Sequence, residues 1–151
     1  MRILGINCMN HDAAMAVVEY QAGVGKILWA AHSERYSKIK NDHYLNWGIV
    51  NEANKYGPFN KVVYYEKPLL KKTRQFYAGQ YAEALAQSEM PQWHLDQFHI
   101  KIDEYVLHHD SHAAAGYFTS PFREATILTV DAIGEWDTVS ISTARGRNVE
   151  R

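Results

Sequence analysis

Residues 1–32, MRILGINCMNHDAAMAVVEYQAGVGKILWAAH, decide the fold class. They contain three β-rich runs: Ile3 to Asn7, Ala14 to Tyr20 and Lys26 to His32. Only the turn-prone stretches Asn10-His11-Asp12 and Gly23-Val24-Gly25 separate these runs. Connections this short join antiparallel neighbours, because a parallel pair needs a crossover of roughly a dozen residues or more. The chain is therefore expected to open as an antiparallel three-stranded meander.

Helices enter further along. Asn46 is a good N-cap for a helix through Ile49, Val50 and Ala53, which Gly57-Pro58 forces to an end. Lys61 to Glu66, KVVYYE, is β-rich, and Pro68 is well placed to open a second helix. Along that helix Leu69, Phe76, Tyr77, Gln80, Tyr81, Ala84 and Leu85 recur at three- and four-residue intervals, an amphipathic stripe that Met90-Pro91 ends. Gln92 to Lys101 has no clean period and reads as a loop. Glu104 to Leu107 reads as a short strand, His109 to Phe118 as an alanine-rich helix and Thr126 to Val130 as a buried strand. After the turn Ala132-Ile133-Gly134, Thr138 to Thr143 reads as the partner strand. Strands alternating with helices predict an α/β layer architecture, a mixed sheet with flanking helices.

At 151 residues the chain has the length of one ordinary domain. Hydrophobic residues at 46% and charged residues at 22% are typical of a chain that folds. Sixteen basic against seventeen acidic residues leave a formal charge of -1, so no basic excess advertises a nucleic-acid or membrane surface. No apolar run approaches the roughly 20 residues that cross a bilayer. The single cysteine, Cys8, has no internal disulfide partner, and the start MRILGI lacks the pattern of a signal peptide, so a cytoplasmic protein is expected.

Three clusters could carry chemistry. In His108-His109-Asp110-Ser111-His112 the outer histidines are four apart, so on a helix they project from one face and can hold one metal ion. Imidazole suits zinc or iron, and Ala113-Ala114-Ala115-Gly116 would let such a helix pack closely. The same residues also suit a polar helix start capped by His109 or Asp110. Second, His11-Asp12 and Asp131-Ala132-Ile133-Gly134-Glu135 place acids in hairpin turns, where they can face a metal or a phosphate, or simply be solvated. Third, Glu34 to Lys40, ERYSKIK, reads as a solvated basic loop, and Lys67, Lys71, Lys72 and Arg74 as a solvated helix face.

Taken in order, ILGI, HDAAMAVV, SERYSKIK, YYEKP, HHDSHAAAGYFTSPF and ILTVDAIGEWDTVSIS resemble the N-terminal part of the O-carbamoyltransferases of the nodulation, cephamycin and tobramycin type. The resemblance implies the first half of an actin/hexokinase/Hsp70-like (ASKHA) domain, with residues 1–125 as a first subdomain and 126–151 as the start of a second. It further implies that a YrdC-like domain makes carbamoyl-adenylate from carbamoyl phosphate and ATP, and that the N-terminal domain passes the carbamoyl group to a hydroxyl acceptor.

Carried over by motif, His108 and His112 would bind Fe(II) or Zn(II), while His11 and Lys40 would be catalytic. Asp12, Arg35, Asp131, Gly134 and Glu135 would contact the nucleotide or carbamoyl-adenylate. Ala132 stands where the family usually has glycine, and the family's third metal ligand, an aspartate much further on, has no counterpart within 151 residues. The YrdC-like domain likewise lies outside them. The expected partner is a complementary chain carrying the rest of the domain and a YrdC-like domain, or a second copy of this chain, and alone the chain is expected to be inactive. A stand-alone metal- or nucleotide-binding module without turnover is the alternative. A small metal-dependent hydrolase using His108, His112 and an acid such as Asp131 is a third reading.

Overall fold

The computed structural model describes residues 1–151. In chain order the elements are β1 (Arg2–Asn7), β2 (Ala14–Gln21), β3 (Val24–His32), α1 (Glu34–Ser37), α2 (Trp47–Asn54), β4 (Lys61–Tyr64), α3 (Pro68–Tyr77) and α4 (Tyr81–Leu85). They continue with α5 (Pro91–Leu95), β5 (Glu104–Tyr105), α6 (His108–Phe118), β6 (Glu124–Val130), β7 (Val139–Arg145) and β8 (Asn148–Glu150). The chain divides into two units, Met1–Tyr64 with Ala86–Tyr105, and Tyr65–Leu85 with Val106–Arg151.

The first unit is built on a five-stranded sheet in the order β3-β2-β1-β4-β5. The three opening strands pair antiparallel, while β4 lies parallel to β1 and β5 parallel to β4, so the sheet is mixed, as expected. Leu4 sits opposite Val17 and Ile6 opposite Met15, and all four are buried. Helix α2 packs on β2 and β3 and contributes buried Ile49, Val50 and Ala53. Its cap is the expected one: Asn46 Oδ1 accepts from the amides of Gly48 (3.0 Å) and Ile49 (3.2 Å), while Asn46 Nδ2 donates to Ser33 Oγ.

Gln92 to Lys101 is not a loop. It holds most of α5 and a 3-10 turn at Asp96–Phe98, because Pro91 starts a helical turn and buried Leu95 and Phe98 anchor it. No period marks so short a segment. His94 is buried there, where its Nε2 accepts from the Leu45 amide at 3.2 Å, and burial holds its pKa below the usual 6.5.

In the second unit α6 packs on β6 and β7 of a three-stranded antiparallel sheet. The stripe expected on one long helix is divided between α3 and α4, because Gly79 takes a positive φ (+77°) that ends the first. Its Leu69, Phe76, Tyr77, Tyr81 and Leu85 point outward, each more than half exposed. The basic face is only partly solvated: Lys71 pairs with buried Glu66 at 3.0 Å, and Lys72 donates to the carbonyls of Glu83 and Ala84 in the last turn of α4.

Strand β6 was expected to be buried, yet its apolar side is outward: Leu128, Val130 and their partners Ile141 and Val139 are all more than half exposed. The opposite face, with Thr129, Ser140, Ser142 and Ala144, is the buried one. No helix is long and apolar enough to cross a membrane.

Replacing Asn46 with alanine removes both N-capping hydrogen bonds of α2 and the bond to Ser33. Urea unfolding should show a loss of about 1–2 kcal/mol, the upper part of the range for helix N-caps.

Candidate functional site

The histidine pair lies in the first two turns of α6, as its spacing requires. His108 Nε2 and His112 Nε2 are 3.0 Å apart. The turn after β6 adds Asp131, whose Oδ2 is 2.6 Å from His108 Nε2 and 3.8 Å from His112 Nε2. All three ligand atoms fall within 4.8 Å of one another. Ligands about 2.0–2.1 Å from a tetrahedral metal lie roughly 3.3 Å apart, so this triangle has the right size for one ion.

Protons alone satisfy the triangle poorly. A neutral imidazole nitrogen either donates or accepts, yet His108 Nε2 faces both a carboxylate and a second ring nitrogen. A cation among the three would meet all of these lone pairs at once. Burial, followed by the charge of His108, holds the His112 pKa below its usual 6.5 against the opposing pull of Asp131. His112 is therefore a free base at neutral pH. Burial would raise Asp131, but the Ala132 amide and the bond to His108 prevail and hold it below 3.8. Both groups thus hold the protonation state that a metal ligand needs.

Packing sets the orientation of His108. The Tyr65 ring meets it edge-on at 5.3 Å, and Nδ1 is buried without a hydrogen-bond partner. Behind it, His109 Nδ1 is 2.9 Å from Ser140 Oγ. Ser111 Oγ donates to the Tyr65 carbonyl at 2.8 Å.

Gly134 allows the acidic turn to come this close. A Cβ there would lie 3.1 Å from His109 Cδ2 and 3.3 Å from both Cβ and Cδ2 of His108. Glu135 points inward and is 4% exposed. Its Oε1 accepts from the Lys67 amide at 2.7 Å, and both oxygens lie 3.1 Å from the His108 amide. Sequence reasoning places Asp131, Gly134 and Glu135 in one turn, but only the fold shows that this turn rests on the histidine helix.

His11, Asp12, Arg35 and Lys40 belong to the first unit. His11 Nδ1 is 2.8 Å from Asp12 Oδ2. Asp12, Arg35 and Lys40 line an open recess of about 560 Å³, together with His32, Glu34, Lys38, Ile39 and Asn41. Its three cations outnumber its two acids by one, and Arg35 lies 3.8 Å from Glu34. The expected basic loop is partly helical, as α1, and Lys38 Nζ donates back to the Arg35 carbonyl. Backbone bonds from Met9 to His43 and from Ala13 to Asp42 tie the His11 turn to the loop beyond Lys40.

The carbamoyltransferase N-terminus family matches residues 73–150, just over half of the chain and the whole of the histidine–aspartate triangle. The protein belongs to that family. A relative from Synechocystis sp., the uncharacterized protein sll1178, is 29% identical over 175 aligned residues. The match takes in 97% of this chain but only 28% of that relative, so the chain spans little more than a quarter of its length. Among solved structures, the Aquifex aeolicus PPX-GPPA enzyme overlaps 100% of this chain and 50% of its own, at a TM-score of 0.46 and 11% identity.

Gly134→Ala should force the turn away from His108 and His109, at a cost of about 1–3 kcal/mol in thermal melts. Gly116→Ala, which meets nothing within 4 Å in the same unit, should be neutral or stabilising by up to about 1 kcal/mol.

Proposed function

We propose that this chain is the N-terminal portion or a split subunit of an ATP-dependent O-carbamoyltransferase, with Fe(II) or Zn(II) held by His108, His112 and Asp131. The observation that carries the proposal is the convergence of three ligand atoms within a segment matched by the carbamoyltransferase family. The β3-β2-β1-β4-β5 order of the mixed sheet supports reading the first unit as part of an actin/hexokinase/Hsp70-like domain.

When bound, the metal supplies a Lewis acid for an oxygen of the carbamoyl donor or the acceptor. The remaining roles belong to the chain's own residues. Asp12 accepts from His11 Nδ1, which leaves Nε2 to take the proton of the acceptor hydroxyl as its oxygen attacks the carbamoyl carbon and AMP departs. Lys40 and Arg35 in the recess counter the phosphate charge that grows on the leaving nucleotide.

The substrates are carbamoyl phosphate and ATP, through an adenylate made on a YrdC-like domain, and a small hydroxyl compound. The exposed Leu128, Val130, Val139 and Ile141 favour a partner, either a complementary chain with the rest of the domain or a second copy. The alternative is a metal- or nucleotide-binding module without turnover, which the same three ligand atoms would serve.

Two measurements test this reading. Titration with Zn(II) or Co(II) should give one site per chain, and His112→Ala should abolish it; unchanged metal content in that variant would remove the metal claim. Alone, the chain should not consume carbamoyl phosphate and ATP. Combined with its complement it should transfer labelled carbamoyl to an alcohol, and His11→Ala or Lys40→Ala should slow transfer by about 100-fold or more. Full transfer by both variants would refute their roles.

A further inference from the structure

We infer that Glu135 is a positioning residue of the metal centre, a buried carboxylate that fixes the first turn of α6 so that His108, His112 and Asp131 converge. The inference rests on the metal reading above and gives Glu135 a different role from the nucleotide contact that the family resemblance implies.

A carboxylate that is 4% exposed must have its oxygens met by donors, and here the donors are backbone amides. The His108 amide lies 3.1 Å from each oxygen, and the Lys67 amide lies 2.7 Å from one. His108 is the first residue of α6, and Leu107, at its N-cap, provides no side-chain acceptor. Glu135 therefore takes over from a distance of 27 residues the task that a serine or aspartate performs locally. Lys67 stands just before Pro68, the first residue of α3, and also lacks a side-chain cap. One carboxylate thus ties together the starts of two helices.

The source of this cap links it to the ligands. Asp131 and Glu135 belong to the same turn, which is closed by bonds from the Asp131 amide to Thr138 O and from the Gly134 amide to Asp137 O. That turn delivers the carboxylate ligand at one end and holds the helix of the two imidazole ligands at the other. His108 has no hydrogen bond at Nδ1 to pin its ring, so its backbone anchor carries more of the task of aiming Nε2. Both oxygens already face amides, so a ligand could reach the carboxylate only by breaking the cap.

The test compares the full chain with Glu135→Gln and Tyr117→Phe, using Co(II) as the probe. Tyr117→Phe removes a 2.6 Å bond to the Arg123 carbonyl at the far end of the same helix and serves as a control for general destabilisation. Glu135→Gln should weaken Co(II) binding by about 10- to 100-fold, the range for residues that support metal ligands, and alter the visible d–d bands. Tyr117→Phe should bind with the original affinity and spectrum even if its melting temperature falls as far.

Unchanged affinity and bands in Glu135→Gln would overturn the positioning role while leaving the metal site in place. Failure of the unaltered chain to bind Co(II) would overturn the metal reading and this role with it. Hydrogen exchange on the unaltered, metal-free chain gives a check that needs no variant. The His108 amide should be strongly protected before any metal is added, and exchange there at the rate of a free amide would sink the proposal.

Discussion

A carboxyl group out of water is the constraint around which the second unit is organised. Burying so polar a group is costly unless donors surround it, and Glu135 finds them in the amides of Lys67 and His108. Those amides are available because each begins a helix and has no partner within it. The turn bearing Glu135 must then lie against α6, where a Cβ at position 134 would come within 3.1–3.3 Å of side-chain atoms of His108 and His109. A larger residue there would require the rings or the turn to shift.

The same helix explains the inverted character of the β6-β7 sheet. Through His109, α6 offers an imidazole to Ser140, and the face beneath it is small and partly polar: Thr129, Ser140, Ser142 and Ala144. Small residues permit close approach of helix and sheet, and the Ser140 hydroxyl meets the His109 ring. The larger apolar residues of both strands are left on the other face. Four of them, paired across the ladder as Leu128 with Ile141 and Val130 with Val139, lie together on the exposed face.

Much of this was legible in the sequence, for physical reasons that also explain the omissions. The meander was readable because its turns are too short for any other connection, and α2 because Asn46 and its apolar period agree. The four-residue spacing of His108 and His112 put them on one face, and the family resemblance agreed with the match over residues 73–150. Periodicity records only that one side of a segment is apolar. It does not say whether that side meets a core: the strand Thr126 to Val130 reads as buried, yet Leu128 and Val130 face outward, as do the large residues of the stripe on α3 and α4. Helix α5 is too short to show a period. Asp131 joins the two histidines only in the hydrolase reading of the sequence, because it lies 23 residues from His108 and only the packing of its turn on α6 brings the side chains together.

Two members of the triangle have shifted protonation equilibria. Burial and the neighbouring His108 both hold the His112 pKa down, while Asp131 is stabilised as the anion by the Ala132 amide and His108. Acid therefore works against the folded arrangement through both groups. His112 takes up its proton less readily than in the unfolded chain, so stability declines as the pH falls below about 6.5. The contribution of Asp131 is present above about 3.8 and is lost on falling through its depressed folded value. At neutral pH neither penalty operates, so an arriving divalent cation meets an unprotonated His112 and an ionised Asp131 already gathered at one point.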